Sequence, residues 1–349
     1  MAAKRVTRIL VAWSGLPIYA ARCLKALVDC PTFELSVLAT RPDVPIVGQE
    51  DELGQPIVWV DRDDKKIIDV FNLFQPDFVL HTGWSIPGFV ELGNVARRAG
   101  VPVVVMSDNI WKGTIKQWLG LLPLRIYLAR HADALFVPGK AAKRYMRLVG
   151  VPDDRISLGL YGADPDAFWD GGAMVDRKYD FCYVGRLIER KGIDQLLLAI
   201  KAHRESGGRA RFVFAGAGPF SELLANIEGV DVHPFLSPMK SAELMRASRF
   251  FILPSREDHW GVVAHEAVCA GCGLLISSKA GASLDLLYEN GILFKTARAT
   301  VLLDGIERAL RLDQEGLEQY RTMSLEIASK FGPSRFKSAV SDMTALFGK

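Results

Sequence analysis

Nowhere in its 349 residues does this chain carry an apolar run approaching the ~20 residues that cross a bilayer. Its basic start, Met1 to Trp13, offers only about five apolar residues before Ser14-Gly15, too few for the core of a secretory signal. The expectation is a cytoplasmic protein, peripheral at most on the inner face of the plasma membrane. Cysteine is scarce and odd in number, five in all (Cys23, Cys30, Cys182, Cys269 and Cys272), so a disulfide framework is not expected. Cys269-Ala-Gly-Cys272 is a CxxC without a second pair at zinc spacing, and both thiols are read as small buried side chains. An excess of one charge is lacking too: 43 basic against 40 acidic residues excludes a dedicated nucleic-acid binder. Low-complexity tracts are missing, and 49% apolar content excludes a disordered chain.

What is present suits roughly two domains, at about 150 residues each. The small charge excess is unevenly placed. Residues 97–147 hold 10 basic and only 2 acidic side chains, whereas 41–64 hold 2 basic and 7 acidic. Short β-rich runs alternate with helical stretches in both halves. Arg8–Trp13, Phe33–Ala39, Phe78–Leu80, Val103–Met106 and Ala134–Val137 read as strands, with helices over Tyr19–Val28, Phe89–Ala99 and Thr114–Arg130. The second half repeats the style, with strands at Phe181–Val184, Arg211–Ala215, Phe250–Leu253 and Leu274–Ser277. Its helices fall at Ile193–Arg204, Gly261–Ala270 and Ile306–Leu312. This alternation predicts α/β domains with doubly wound parallel sheets, which take ligands at the carboxyl ends of their strands. The expected division is 1–165, a Pro/Gly/Asp-rich linker 166–177, and 178–325. A last helix within 326–349 is expected to pack back on the first domain.

The densest chemical signal is Leu253 to Gly273. A strand enters a loop carrying Glu257 and Asp258, and Gly261 then opens a helix that holds Glu266. A helix start offers N–H groups and partial positive charge to a phosphate, and glycine permits close approach. Asp258 and Glu266 are eight positions apart, roughly 12 Å along a helix, so one carboxylate could reach a hexose and the other a ribose. A capping Asp and a surface Glu are the alternative. In Gly185-Arg186-Leu187-Ile188-Glu189-Arg190-Lys191-Gly192, two cations bracket a strand-to-helix turn. Arg186 and Lys191 there could hold a diphosphate and stabilise it as a leaving group; a solvated basic loop is the alternative.

With these motifs together the sequence resembles the family 4 glycosyltransferases, which are retaining enzymes of the GT-B architecture. The resemblance rests on Val184-Gly185-Arg186-Leu187 with Lys191-Gly192, on Gly216-Ala217-Gly218-Pro219, on Pro254-Ser255 through Trp260-Gly261 to Glu266-Ala267, and on Asn290-Gly291. It implies two Rossmann-like domains facing a cleft. It also implies a nucleoside-diphosphate sugar held mainly by the second, and a saccharide or lipid-linked acceptor entering from the first. The family's acidic pair binds the donor; here it is Asp258, one methylene shorter than the usual Glu, and Glu266. By the resemblance Glu266 binds the ribose hydroxyls, Asp258 the sugar, Arg186 and Lys191 the diphosphate, and the backbone of Gly261, Val262 and Val263 phosphate or sugar. The shortened Asp258 leaves Glu257 as an alternative sugar contact. Front-face attack, in which the departing phosphate helps take the acceptor proton, needs no enzyme nucleophile, no cofactor and no metal.

In the first domain Gly15 ends the first strand, where the family has its Gly-rich loop. His81 and Asp108 follow strands and are expected to face the cleft, His81 bonding a donor hydroxyl and Asp108 orienting or deprotonating the acceptor. Hydrogen-bonded structural roles are the alternatives, and His259 and His265 are read as structural or solvent-facing. Asp61-Arg62-Asp63 and Asp164-Pro165-Asp166 match a metal–diphosphate signature but lie off the expected cleft. Trp111, Trp118, Tyr127 and the basic side chains of 97–147 suit either an anionic membrane surface or a packed helix with a solvated basic face, and Pro123 is expected to interrupt a long helix there. Three rivals remain: an inactive sugar-nucleotide-binding protein, a two-domain epimerase, and a dinucleotide oxidoreductase. The last is disfavoured because Gly216-Ala217-Gly218-Pro219 is not a full G-x-G-x-x-G.

Overall fold

Apolar runs too short for a helix, such as Val103–Met106 and Phe212–Ala215, are buried at every position. That is the pattern of strands in a parallel sheet covered on both faces. The computed structural model describes residues 5–42, 47–168, 172–295 and 298–347. The chain divides into two compact units, one of Met1–Gly162 with Phe331–Lys349 and the other Ala163–Lys330.

The first unit holds β1 (Thr7–Trp13), β2 (Phe33–Ala39), β3 (Val58–Trp59), β4 (Phe78–Thr82), β5 (Val103–Met106), β6 (Ala134–Val137) and β7 (Ile156–Leu158). They form one seven-stranded sheet in the order β3-β2-β1-β4-β5-β6-β7, parallel throughout. Between them run α1 (Ile18–Val28), α2 (Gln49–Leu53), α3 (Lys66–Phe74), α4 (Pro87–Arg98), α5 (Ile115–His131) and α6 (Lys140–Val149). Helix α5 passes through Pro123 unbroken, so the expected interruption does not occur.

The second unit opens with α7 (Pro165–Phe168) and alternates β8 (Tyr179–Val184), α8 (Ile193–Glu205), β9 (Phe212–Ala215), α9 (Ser221–Ala225), β10 (Val230–His233), α10 (Pro238–Arg246) and β11 (Ser248–Leu253). It continues with α11 (Val262–Cys269), β12 (Gly273–Ser277), α12 (Ser283–Leu286), β13 (Gly291–Phe294), α13 (Ala299–Leu310) and α14 (Gln314–Ala328). Its six strands are again parallel, ordered β10-β9-β8-β11-β12-β13. Phe181, Phe212 and Phe250 stack in its core, with ring centroids 5.1 and 5.5 Å apart.

The last residue of the segment read as a linker, 166–177, is tied into this unit. Arg177 is buried and donates to the carbonyls of Ser248 (2.8 Å) and Ala270 (2.9 Å). The last helix, α15 (Pro333–Phe347), packs on α1 in the first unit, with the Phe336 ring 5.3 Å from Phe136. Cys23, Cys182, Cys269 and Cys272 are buried and Cys30 is half-buried, and none of the five is in a disulfide among the described residues. Among the described residues, no helix is long and apolar enough to cross a membrane.

Candidate functional site

Strands β8, β9 and β11 end side by side, and the loops leaving them build the second unit's site. The Gly185 N–H donates to the Ala215 carbonyl, and the Leu187 N–H to that of Ala217, both at 2.9 Å. Gly216 makes this possible: a Cβ there would stand 1.8 Å from the Gly185 carbonyl oxygen. Gly192 does the same between β8 and β11, with φ +76 and a would-be Cβ 2.0 Å from the Pro254 oxygen. That contact brings the turn carrying Lys191 against the loop carrying Asp258. Lys191 Nζ donates to Asp258 Oδ2 at 2.5 Å, with the two side chains 16% and 14% exposed. Ser255 Oγ adds a longer bond of 3.4 Å to the same oxygen.

The Asp258 loop is held from behind by the 279–282 segment. The Asp258 N–H donates to the Lys279 carbonyl (3.1 Å), the Gly281 N–H to that of Asp258 (3.1 Å), and the Ala282 N–H to that of Trp260 (2.8 Å). Trp260 is buried and its indole N–H donates to the buried Asp285 at 3.2 Å. Gly261, at φ +89, then caps α11. Val262 and Val263 form its first turn and Glu266 lies one turn further on, all three half-buried.

Three contributors, Arg256, Tyr183 and Asp285, were not singled out from sequence. Arg256 joins the loops through Glu189 and through Asp194 (2.5 Å). Tyr183 is buried and donates to the Arg186 carbonyl at 2.9 Å, bracing the loop that presents the exposed Arg186. Burial, and then the nearby Asp258 carboxylate, pushes the Tyr183 phenol up, so it stays protonated as that donor. Trp260 and Asp285 pair across 25 positions. Tyr183 lies within β8 and Asp285 within α12, and neither carried a local signature. Glu257, the alternative sugar contact, faces Arg190 at 3.9 Å. His265 is fully buried between two backbone groups, accepting from the Ala163 N–H at Nδ1 and facing the Ala328 carbonyl at Nε2. Burial lowers its pKa to about 4.

The first unit carries its own pocket of about 360 Å³ at the carboxyl ends of β1, β4 and β5. Gly15 and Asp108 line it together with Trp13, Tyr19, Trp84 and Tyr161. Asp108 accepts from the Tyr161 hydroxyl at 3.1 Å. The loop after β1 is not an open phosphate cradle. The Ser14 N–H is taken by Thr82 Oγ1 (2.6 Å) and the Gly15 N–H by Thr40 Oγ1 (3.0 Å).

His81 requires correction. Strand β4 continues to Thr82, so His81 sits within it, paired with Ala12 and Val105, and is 1% exposed. Its ring packs toward Gly93 of α4, and its Nε2 has no hydrogen-bond partner among the described residues. Burial drives its pKa down to about 4, leaving a neutral core imidazole. Thr82, the next residue, lines the pocket in its place. Among the described residues, no group of three or more His, Cys, Asp or Glu is placed to hold a metal ion. Asp164 of the second Asp-x-Asp motif accepts from the Asp166 N–H at 3.1 Å.

Known proteins carry the same pattern. The family described as Glycosyl transferases group 1 matches residues 171–324, and the Glycosyl transferase 4-like domain matches 14–159. A glycogen synthase of Myxococcus xanthus is 30% identical over 188 residues, which cover 50% of this chain and 38% of that protein. EpsF of Bacillus subtilis, described as a putative glycosyltransferase, is 31% identical over 263 residues, 69% of this chain and 66% of that one. The chain thus matches less than two thirds of either relative's length. The Anabaena protein HepE, solved in complex with UDP, superposes with a TM-score of 0.76 at 14% identity, covering 97% of this chain and 100% of that one. Two parallel α/β units, one pattern matching each, and this likeness of fold identify the chain as a member of the family 4, group 1 glycosyltransferases of GT-B architecture.

Proposed function

We propose that the protein moves a hexose from a nucleoside-diphosphate sugar to a saccharide or lipid-linked acceptor, with retention and without a metal ion, in the synthesis of cell-surface polysaccharide or glycolipid. The observation that carries this reading is the meeting of Lys191 and Asp258 at 2.5 Å on the loop that leads into α11. A diphosphate at this helix start is met by the dipole, by Arg186 and by Lys191. Two fixed cations then stabilise the charge that grows on the leaving group, a task that metal ions perform in other sites. Asp258 and Lys191 neutralise each other before the donor arrives. A diphosphate that draws Lys191 away frees the Asp258 carboxylate to accept from sugar hydroxyls, while Glu266 takes the ribose. In the first unit, Asp108 and its aromatic neighbours supply the acceptor's contacts, and the departing phosphate takes the acceptor proton. HepE, solved with UDP, supports a sugar nucleotide as donor.

The test is a thermal-shift panel of UDP-, GDP- and ADP-sugars, followed by donor hydrolysis with the sugar that stabilises. Arg186→Ala is expected to lower turnover by about 10²-fold, and EDTA to leave turnover intact. Unchanged turnover in Arg186→Ala overturns the diphosphate clamp. A loss in EDTA restored by Mn²⁺ overturns the metal-free reading.

A further inference from the structure

Helix α5 is apolar on two faces, and the first unit covers only one of them. Leu121, Leu124, Tyr127 and Leu128 turn onto the core. Ile115, Trp118, Leu119, Leu122 and Ile126 fall at i, i+3, i+4, i+7 and i+11, which makes a single stripe on a 3.6-residue period. That stripe faces outward, with exposures of 79%, 59%, 76%, 65% and 44%. Scattered single apolar side chains are ordinary on a protein surface, but a contiguous row marks a face that something covers.

The surrounding charge selects the cover. At about 100° per residue, Lys116 and Arg130 lie along one flank of the stripe and Arg125 along the other. No acidic residue occurs between Asp108 and Asp133. A second copy of the same face would set cation against cation with no carboxylate to answer, whereas an anionic bilayer answers all three. Trp118 stands edge-on to Trp111 with centroids 5.0 Å apart, and amphipathic rings of this kind favour the headgroup level. Pro123 leaves the Leu119 carbonyl without its helical donor. That group is tolerated where water reaches it but not in the hydrocarbon, so the helix suits lying along an interface rather than inserting.

We propose that α5 is an interfacial helix that seats the first unit on an anionic lipid bilayer. Its apolar stripe enters the acyl boundary, and Lys116, Arg125 and Arg130 meet lipid phosphates. The inference does not depend on the donor reading, because its readout involves no sugar.

The full chain is sedimented with vesicles of phosphatidylcholine and phosphatidylglycerol in equal parts, and with phosphatidylcholine alone, at low and high salt. Pelleting is expected with the anionic vesicles only, with a blue shift of tryptophan emission and release by salt. The double variants Leu119→Ser/Leu122→Ser and Lys116→Glu/Arg125→Glu are each expected to bind about tenfold or more weakly. Their melting temperatures should stay unchanged, since the altered side chains are exposed. No pelleting of the parent protein at low salt overturns the proposal, as does equal pelleting of the variants. A parent dimer that Leu119→Ser/Leu122→Ser converts to monomer overturns it in favour of a second copy, and salt-insensitive binding to phosphatidylcholine alone removes the role given to the cations.

Discussion

Lys191 and Asp258 are held by two separate backbone devices, the turn before α8 and the bridge to the 279–282 segment, and meet where these abut. Removing either charge therefore leaves the other half-buried without its partner, which costs more than the pair contributed. Lys191→Met and Asp258→Asn are each expected to lower donor turnover by about 10²-fold, and the double variant by little more than either single one, because residues acting as a unit are not additive. Full multiplication of the two effects in the double variant would show that they act independently. The pair illustrates what was legible from sequence. Both residues stood in short contiguous motifs and were placed at the site separately, but their contact depends on Gly192 lying against Pro254, which spacing does not reveal. His81 failed for a related reason. The strand ran two residues further than its apolar run, and a central parallel strand buries whatever it carries. Asp285, supporting Trp260 from α12, had no local signature at all.

At the scale of elements, glycines let the backbones of the loops at the strand ends touch. Gly192→Ala is expected to cost about 1–3 kcal/mol through its left-handed φ of +76 and the collision with the Pro254 oxygen. It should also abolish stabilisation by the sugar nucleotide. Gly207→Ala is the control. It shares the left-handed backbone, at φ +83, but has nothing within 4 Å of its would-be Cβ, so it should lower the melting temperature while keeping the response to the donor. Loss of the donor response in both would mean that backbone strain, not the Gly192–Pro254 contact, governs the site. Elements with a continuous apolar run or a clear amphipathic period, such as β5 and α8, were readable in advance. Two-residue β3 and the half-polar β10 were not, because an edge strand exposes alternate residues and carries little hydrophobic signal.

At the scale of the whole molecule, the first unit is assembled from both ends of the sequence. Helix α15 buries Phe336, Ala339, Val340 and Met343, and the Phe336 ring lies on Phe136 of β6. The second unit has its own sheet and its own stacked phenylalanines. Phe336→Ala should therefore cost about 3–5 kcal/mol, and the loss should fall on the first unit although position 336 follows the second in sequence. Hydrogen exchange is the measurement: amides of β1, β4 and β6 should lose protection while those of β8, β9 and β11 keep theirs. Phe250→Ala, on β11, should give the reverse pattern. Equal loss in both sheets from either substitution would mean that the chain unfolds as one cooperative body. Protection lost only in the sheet that houses the altered ring would establish the final helix as part of the first unit's core rather than a tail appended to the second.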